Sequence, residues 1–251
     1  IEKAIYYLTL CSDQNDPEAQ YLLGFIYYNN ENVLNIERSI HYLTLSSNQN
    51  HSLASFLLGG IYFDGKYVKQ DIQKAINCFI ICSEQNDSNA QFILGNIFYD
   101  NKYVPRDINK SIHYLTLSSN QGNSNAQFIL GLIYYEDKFI PRNIIESIHY
   151  LTLSSDQGNS DADFHLGLIY LNNNYISRDI EKAIHHLSLS SNDGNSEALY
   201  ILGMIYYDKR YLSYDIDKAL HFFSLSSNQS NSNALFALGA IHYEGFHVIK
   251  N

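Results

Sequence analysis

Cysteine is scarce in this 251-residue sequence, at three residues. Three thiols so placed cannot make a disulfide framework. Cys78 and Cys82 share one predicted helix a turn apart, poor geometry for a bridge, and Cys11 is the positional equivalent of Cys82 in another unit. Reduced, partly buried thiols in a cytoplasmic or nuclear setting are the expectation. Proline is equally rare, and 45% of the residues are hydrophobic, which excludes a disordered, solvated chain. Basic residues are outnumbered, 16 against 26 acidic, for a net charge of −10. Nucleic acid and anionic membranes reward clustered Lys and Arg, so neither is expected as the main partner. No run of about twenty apolar residues is present and no signal peptide opens the chain, so direct membrane insertion is not expected.

What the sequence does have is a period. A Leu-Gly pair places Gly24, Gly59, Gly95, Gly131, Gly167, Gly203 and Gly239 at steps of 35 and then 36 residues. A fixed period in this range marks a solenoid, with one stacked core in place of a globular boundary. Residues 1–251 therefore read as a single array of about seven units, starting near residues 17, 52, 88, 124, 160, 196 and 232. Residues 1–13 form a partial unit before them, and the last unit, 232–251, is partial as well. Both ends cut a unit, so the sequence reads as part of a longer protein, and the uncapped ends leave self-association open.

Each unit predicts two helices. Helix A starts at Pro17, Ser52, Ser88, Ser124, Ser160, Ser196 or Ser232 and runs about a dozen residues. Helix B is capped by Asn35, Asp71, Asp107, Asn143, Asp179 or Asp215, whose side-chain oxygens can accept its orphan amides. Its Ser-Ser-Asn-Gln end competes for backbone hydrogen bonds and is expected to stop it. Such short helices are marginal alone and draw their stability from stacking. Glycine inside a helix costs about 1 kcal/mol against alanine. Its recurrence implies a steric reason, a close backbone approach to helix B. In the A–B loop, Gly65, Asn101, Asp137, Asn173, Lys209 and Gly245 occupy a position expected to be left-handed. Residues 245–251 read as that same loop again, with Asn251 at the next cap.

The run Ala90-Gln91-Phe92, Leu94-Gly95, Phe98, Val104 and Asp107, with Lys74-Ala75 and Cys82-Ser83-Glu84-Gln85-Asn86 from the preceding unit, resembles the Sel1-like repeat, a relative of the tetratricopeptide repeat. The resemblance covers essentially the whole chain. It implies an all-α, right-handed alpha-alpha superhelix with helix A on the concave face, and an adaptor or scaffold role without cofactors. Two departures stand out. The family's second loop glycine is Tyr67, Tyr103, Phe139, Tyr175, Tyr211 or His247 here, and an Ala-Ala end of helix B is Ser-Ser, which suggests looser helix-end contacts.

A catalytic site needs unlike residues converging in one cleft, and this sequence sets like residues in rows. His41, His113, His149, His185 and His221 share one register. At about 10 Å between stacked helices successive imidazoles cannot share a metal, so a surface row is expected, with mild acid sensitivity. The cap aspartates need no catalytic explanation, and no enzyme is expected within these residues. Lys74, Lys110, Lys182 and Lys218 follow their caps by three and pair locally or face water. Tyr27, Tyr62, Tyr134, Tyr170 and Tyr206 read as core.

Two columns of helix A remain for a partner. One holds Leu22, Leu57, Ile93, Ile129, His165, Ile201 and Ala237, and the other Phe25, Gly60, Asn96, Leu132, Leu168, Met204 and Ala240. Residues at i and i+3 lie on one face, so stacking makes an apolar strip, rimmed by Tyr28, Tyr99, Tyr135 and Tyr207, that suits an extended or helical segment of another protein. Two outcomes fit the sequence: the strip is open, or superhelical curvature closes the first column between A helices. A spacer array without a specific ligand, or a scaffold for an enzymatic domain outside these residues, is the alternative function.

Overall fold

The computed structural model describes residues 1–172, 174, 176–212 and 214–249, the last six (244–249) by their backbone alone. Asn173, Tyr175 and Asn251 thus lie outside the described residues, as does the side chain of His247. All regular structure among the described residues is helical. The A helices are α2 (Pro17–Asn29), α4 (Ser52–Asp64), α6 (Ser88–Tyr99), α8 (Ser124–Tyr135), α10 (Ser160–Leu171), α12 (Ser196–Tyr207) and α14 (Ser232–Ile249). The B helices are α1 (Glu2–Ser12), α3 (Ile36–Ser47), α5 (Ile72–Glu84), α7 (Ile108–Asn120), α9 (Ile144–Ser155), α11 (Ile180–Asn192) and α13 (Ile216–Asn228). The chain divides into two compact units, residues 1–126 and 127–251.

In the first unit each helix packs on the next in sequence, and α2 also meets α4, the A helix one repeat on. The apolar spacing explains the order. Ala90, Leu94 and Ile97 stand at i, i+4 and i+7, one face of α6, and meet Ala75, Phe79 and Cys82 at the same spacing on α5 in one core. Leu43, Ala54, Leu58 and Ile61 repeat the arrangement between α3 and α4. In the second unit, Leu151, Ala162, Leu166 and Ile169 form the equivalent core, followed by Leu187, Ala198, Leu202 and Ile205. Each fully buried Leu or Ile contributes roughly 1.5–3 kcal/mol, more than one short helix could supply by itself.

The repeated glycines admit a side chain of helix B. A Cβ on Gly95 would lie 2.6 Å from Leu115 Cγ and 3.3 Å from its backbone nitrogen, and Gly131 and Gly167 meet Leu151 and Leu187 in the same way. Gly59 and Gly203 sit instead under the rings of Phe79 and Phe223. The close approach is therefore chiefly side chain on backbone, not the backbone-on-backbone contact expected. Gly239 has nothing within 4 Å of its Cβ position, because no helix B follows it in these residues.

Helix B starts as the cap pattern requires. Asn35, Asp71, Asp107, Asn143, Asp179 and Asp215 each accept from the backbone N–H three residues on. Each also donates its own N–H to a helix A carbonyl, as Asp107 does to Phe98 at 3.0 Å, which pins the loop. The backbone hydrogen bonds of Asp107 and Asp215, helped by Lys110 and Lys218, hold those carboxyls below the usual carboxylate range.

Three expectations are corrected. Helix B does end inside the Ser-Ser-Asn-Gln stretch, at Ser47, Asn120, Ser155, Asn192 or Asn228, but the serines do not act there as competitors for its backbone. Ser46, Ser118 and Ser226 are fully buried inside its last turn and donate to the carbonyls of Pro17, Ser88 and Ser196 at 2.7–2.8 Å. Cys82 takes the same role toward Ser52 at 3.3 Å, so these four ends are hydrogen-bonded, whereas Ser190 Oγ at the same position is buried with no partner among the described residues. In the A–B loop only Gly65 is left-handed among the described positions. The left-handed residues sit in the B–A turns, at Asn15, Asn50, Asn86, Gly122, Gly158, Gly194 and Ser230, where the next N–H reaches back to a helix B carbonyl. Finally, α14 runs through to Ile249 instead of turning at Gly245.

Candidate functional site

The A-helix face is built from positions that the core leaves over. In the first unit Leu22, Leu57, Ile93 and Asn96 are half-buried and Phe25 is 40% exposed. In the second unit Ile129, Leu132, His165, Leu168, Ile201 and Met204 are all half-buried. The rim tyrosines Tyr28, Tyr99, Tyr135 and Tyr207 are half-buried too. Tyr28 packs on the core between α3 and α4, and Tyr135 on the core between α9 and α10. The first column is neither closed away nor fully open. Burial holds the His165 imidazole below its ordinary value, with Asp161 and Glu136 pulling the other way.

One stretch of this face is hollow. Between α4 and α6 lies a cavity of about 320 Å³. Buried Phe79 and Ile97 form its floor, and Phe56, Phe63, Ile93 and Tyr103 its walls. The rings interlock, with Phe63 5.0 Å from Tyr103 and Phe56 5.7 Å from Phe79 between centroids. Gly60 leaves the gap, since nothing lies within 4 Å of where its Cβ would be. Exposed Asp64 and Asp100, with Asn96, edge the mouth.

Away from this face, five of the repeats carry a pair of stacked rings between helix A and helix B. Tyr27 stacks on Tyr42, Phe98 on Tyr114, Tyr134 on Tyr150, Tyr170 on His186 and Tyr206 on Phe222, at 5.7–6.0 Å and within 11° of parallel. Lys74, Lys110, Lys182 and Lys218 lie over the helix A ring of their repeat at 5.0–5.1 Å. The same amines reach the cap aspartates at 3.4–3.7 Å. Of the tyrosines expected in the core only Tyr27 is buried; Tyr134, Tyr170 and Tyr206 are half-buried in these stacks, and Tyr62 is half-buried under Lys74. His41, His113, His149, His185 and His221 are exposed.

A polar row at helix A joins successive helices from inside. Gln49 donates to Gln20, Gln121 to Gln91 and Gln157 to Gln127, at 2.7–2.8 Å. In the second unit the row holds Asp163, only 4% exposed, which accepts from Ser155 at 2.7 Å and meets His186 Nδ1 at 2.8 Å. Serine, aspartate and histidine meet here without triad geometry, because the serine and the histidine bond the same carboxylate oxygen and not each other. Burial pushes the Cys78 and Cys82 thiols up to about 11 and 12, leaving both protonated. Among the described residues no group of three or more His, Cys, Asp or Glu is placed to hold a metal ion, and no helix is long and apolar enough to cross a membrane.

A family model described as Sel1 repeat matches residues 17–51, 52–87, 88–123, 124–159, 160–195, 196–231 and 232–251. The chain belongs to the Sel1 repeat family. As a Sel1 repeat protein it has the general character of an interaction scaffold, with each repeat supplying the same two helices. No curated protein matches the sequence. Among solved structures it is similar to a protective antigen of uropathogenic Escherichia coli strains displaying an SLR fold, with a TM-score of 0.82 at 24% identity. That match covers 96% of this chain and 52% of the antigen, so the chain spans about half its length. A Sel1 repeat protein from Oxalobacter formigenes gives a TM-score of 0.79 at 24% identity, covering 97% of this chain and 71% of that one. These likenesses concern the fold.

Sequence reasoning missed two features of these Sel1 repeats. Gly60 reads as one member of a column, and nothing local says that its neighbours leave a hollow. A signal was present, since Gly60 follows the repeated Gly59 where the other units carry Phe25, Asn96, Leu132, Leu168 and Met204. Asp163 likewise stood out as the single acid in a row of Gln20, Ser55, Gln91 and Gln127.

Proposed function

We propose that this chain is a non-catalytic scaffold that holds a segment of another protein along its A-helix face. What supports the reading is that two largely apolar columns at i, i+3 spacing stay partly exposed within each unit. Apolar surface so arranged is costly to leave in water and marks interaction sites. The acidic balance of −10 suits a neutral or basic partner. The partner reads as an extended or helical segment, because either can lay alternate side chains onto a grooved surface.

The test is site-specific photo-cross-linking. A photoreactive residue is placed at Leu132, Leu168 or Met204 on the face, and at His149 or His185 on the exposed opposite row. The reading expects one partner segment cross-linked from the face positions alone, and lost from Ile129→Glu and Leu168→Glu variants that remain folded. Equal labelling from both sides, or no partner from the face, would replace it with a self-associating or ligand-free spacer.

A further inference from the structure

The repeat between residues 52 and 87 departs from its neighbours at three places that meet at one hollow. The residue after the repeated glycine is Gly60, which carries no side chain and has no packing reason for lacking one. The residue on the repeated glycine is Phe79, which sets an aromatic ring under the hollow where Leu115 and Leu151 stand in other repeats. The helix ends at a left-handed Gly65, and this changes what Asp64 does. In three other repeats the equivalent acid or amide folds back to hold the loop: Asp100 accepts from Lys102 N–H, Asn172 from Asn174 and Asp208 from Arg210. With Gly65 making that turn, no hydrogen bond or ion pair among the described residues engages the Asp64 carboxylate.

The mouth is equally unspent. Asn96 lines it, and its side-chain amide makes no hydrogen bond among the described residues. The nearby lysine amines feel the charge of Asp64 and Asp100 without forming an ion pair with either among the described residues, and their direct contacts are to tyrosines. Lys66 lies over the Tyr67 ring at 4.9 Å, and Lys102 donates to Tyr103 Oη at 3.0 Å. The second carboxylate oxygen of Asp100 makes no hydrogen bond among the described residues. At 320 Å³ the hollow is at the small end of ligand sites, which run from about 300 to 1,000 Å³. It has room for a bulky side chain and not for a helix. An aromatic lining with two carboxylates at its lip favours an apolar group next to a cation, since rings and acids both attract positive charge.

We propose that the Gly60 cavity receives one bulky apolar side chain of a partner protein, carried beside a Lys or Arg that meets Asp64 and Asp100. The proposal rests on the A-helix face being the partner surface, and it names the anchor and its chemistry. Random 12-residue peptides displayed on phage are selected on the chain, with counter-selection on Gly60→Leu. Enriched peptides are then measured by fluorescence anisotropy. The expected peptides carry Phe, Leu or Met beside Lys or Arg. Gly60→Leu weakens them at least tenfold with an unchanged or raised melting temperature, and Asp64→Asn with Asp100→Asn weakens them several-fold. The proposal is overturned if no peptide is enriched, if those enriched lack the apolar–basic pair, or if Gly60→Leu binds them as well as the parent. It is overturned too if phenethylamine binds the cavity while no peptide does, which would make it a small-molecule site. If the cross-links of the preceding section persist in Gly60→Leu, the scaffold reading stands and only the anchor falls.

Discussion

The face of α4 and the face of α8 are the same position of the repeat, and they differ most at one side chain. At α4 the place is Gly60, and the surface falls away onto Phe79. At α8 it is Leu132, and the next A helix answers with His165, whose ring lies 5.8 Å from Phe128 and 6.5 Å from Tyr135. One repeat step on, the cleft beside Leu168 is edged by Asn172, Asn174 and Arg178 in place of two aspartates. The lesson is that a repeat explains the scaffold, while its departures locate a site. Residues that recur in every unit are already accounted for by stacking.

That comparison can be broken or sharpened by substitution. The largest effect is expected from filling a glycine that the packing needs. Gly131→Val forces atoms into Leu151 and should cost roughly 3 kcal/mol by chemical denaturation, because a packed core has no slack. The second effect falls on the buried acid. Asp163→Ala leaves Ser155 and His186 without their shared acceptor and should cost about 2 kcal/mol in the same assay. Asn143→Ala removes a cap side chain from α9 and should cost about 1 kcal/mol. Gly60→Ala should move the other way. It gains up to about 1 kcal/mol of helix propensity with nothing in its path, so two glycines of one repeat type would respond with opposite sign.

The smallest effect concerns His165. Its folded pKa lies below its unfolded value of 6.5, so the unfolded chain takes up the proton first. Stability at neutral pH is unaffected by this group and declines as pH falls through about 6.5 toward the folded value. His165→Ile, which restores the residue type of the other repeats, should remove that part of the acid sensitivity. Denaturation curves at pH 7.5 and 5.5 measure it. A variant that lost the same stability on acidification as the parent would reassign the effect to other groups.

Much of the scaffold was legible because its causes are local or repeated. A glycine in mid-helix is unfavourable wherever it stands, so seven of them in register announce a contact. An aspartate three residues before a lysine at a helix start announces a cap. The serine pairs were misread because their partners are far away in sequence. Ser118 bonds Ser88, and nothing around Ser118 alone distinguishes a buried donor from a helix stop. Asn101 was misread as left-handed because asparagine tolerates that backbone, yet here an aspartate-held turn at Asp100 makes it unnecessary. The columns of the face were legible as positions. Their depth was not, since a hollow depends on Gly60, Phe79 and Tyr103 meeting from three separate elements.

The central claim is tested most directly by methyl NMR on isoleucine-labelled protein. A peptide with Phe beside Lys is titrated in while Ile93 and Ile97, which line the hollow, are followed together with Ile133 and Ile169 in the second unit. The account predicts shifts at Ile93 and Ile97 that saturate with binding, little change at Ile133 and Ile169, and none of these shifts in Gly60→Leu. Shifts at Ile133 and Ile169 with Ile93 and Ile97 unmoved, or shifts retained in Gly60→Leu, would contradict it.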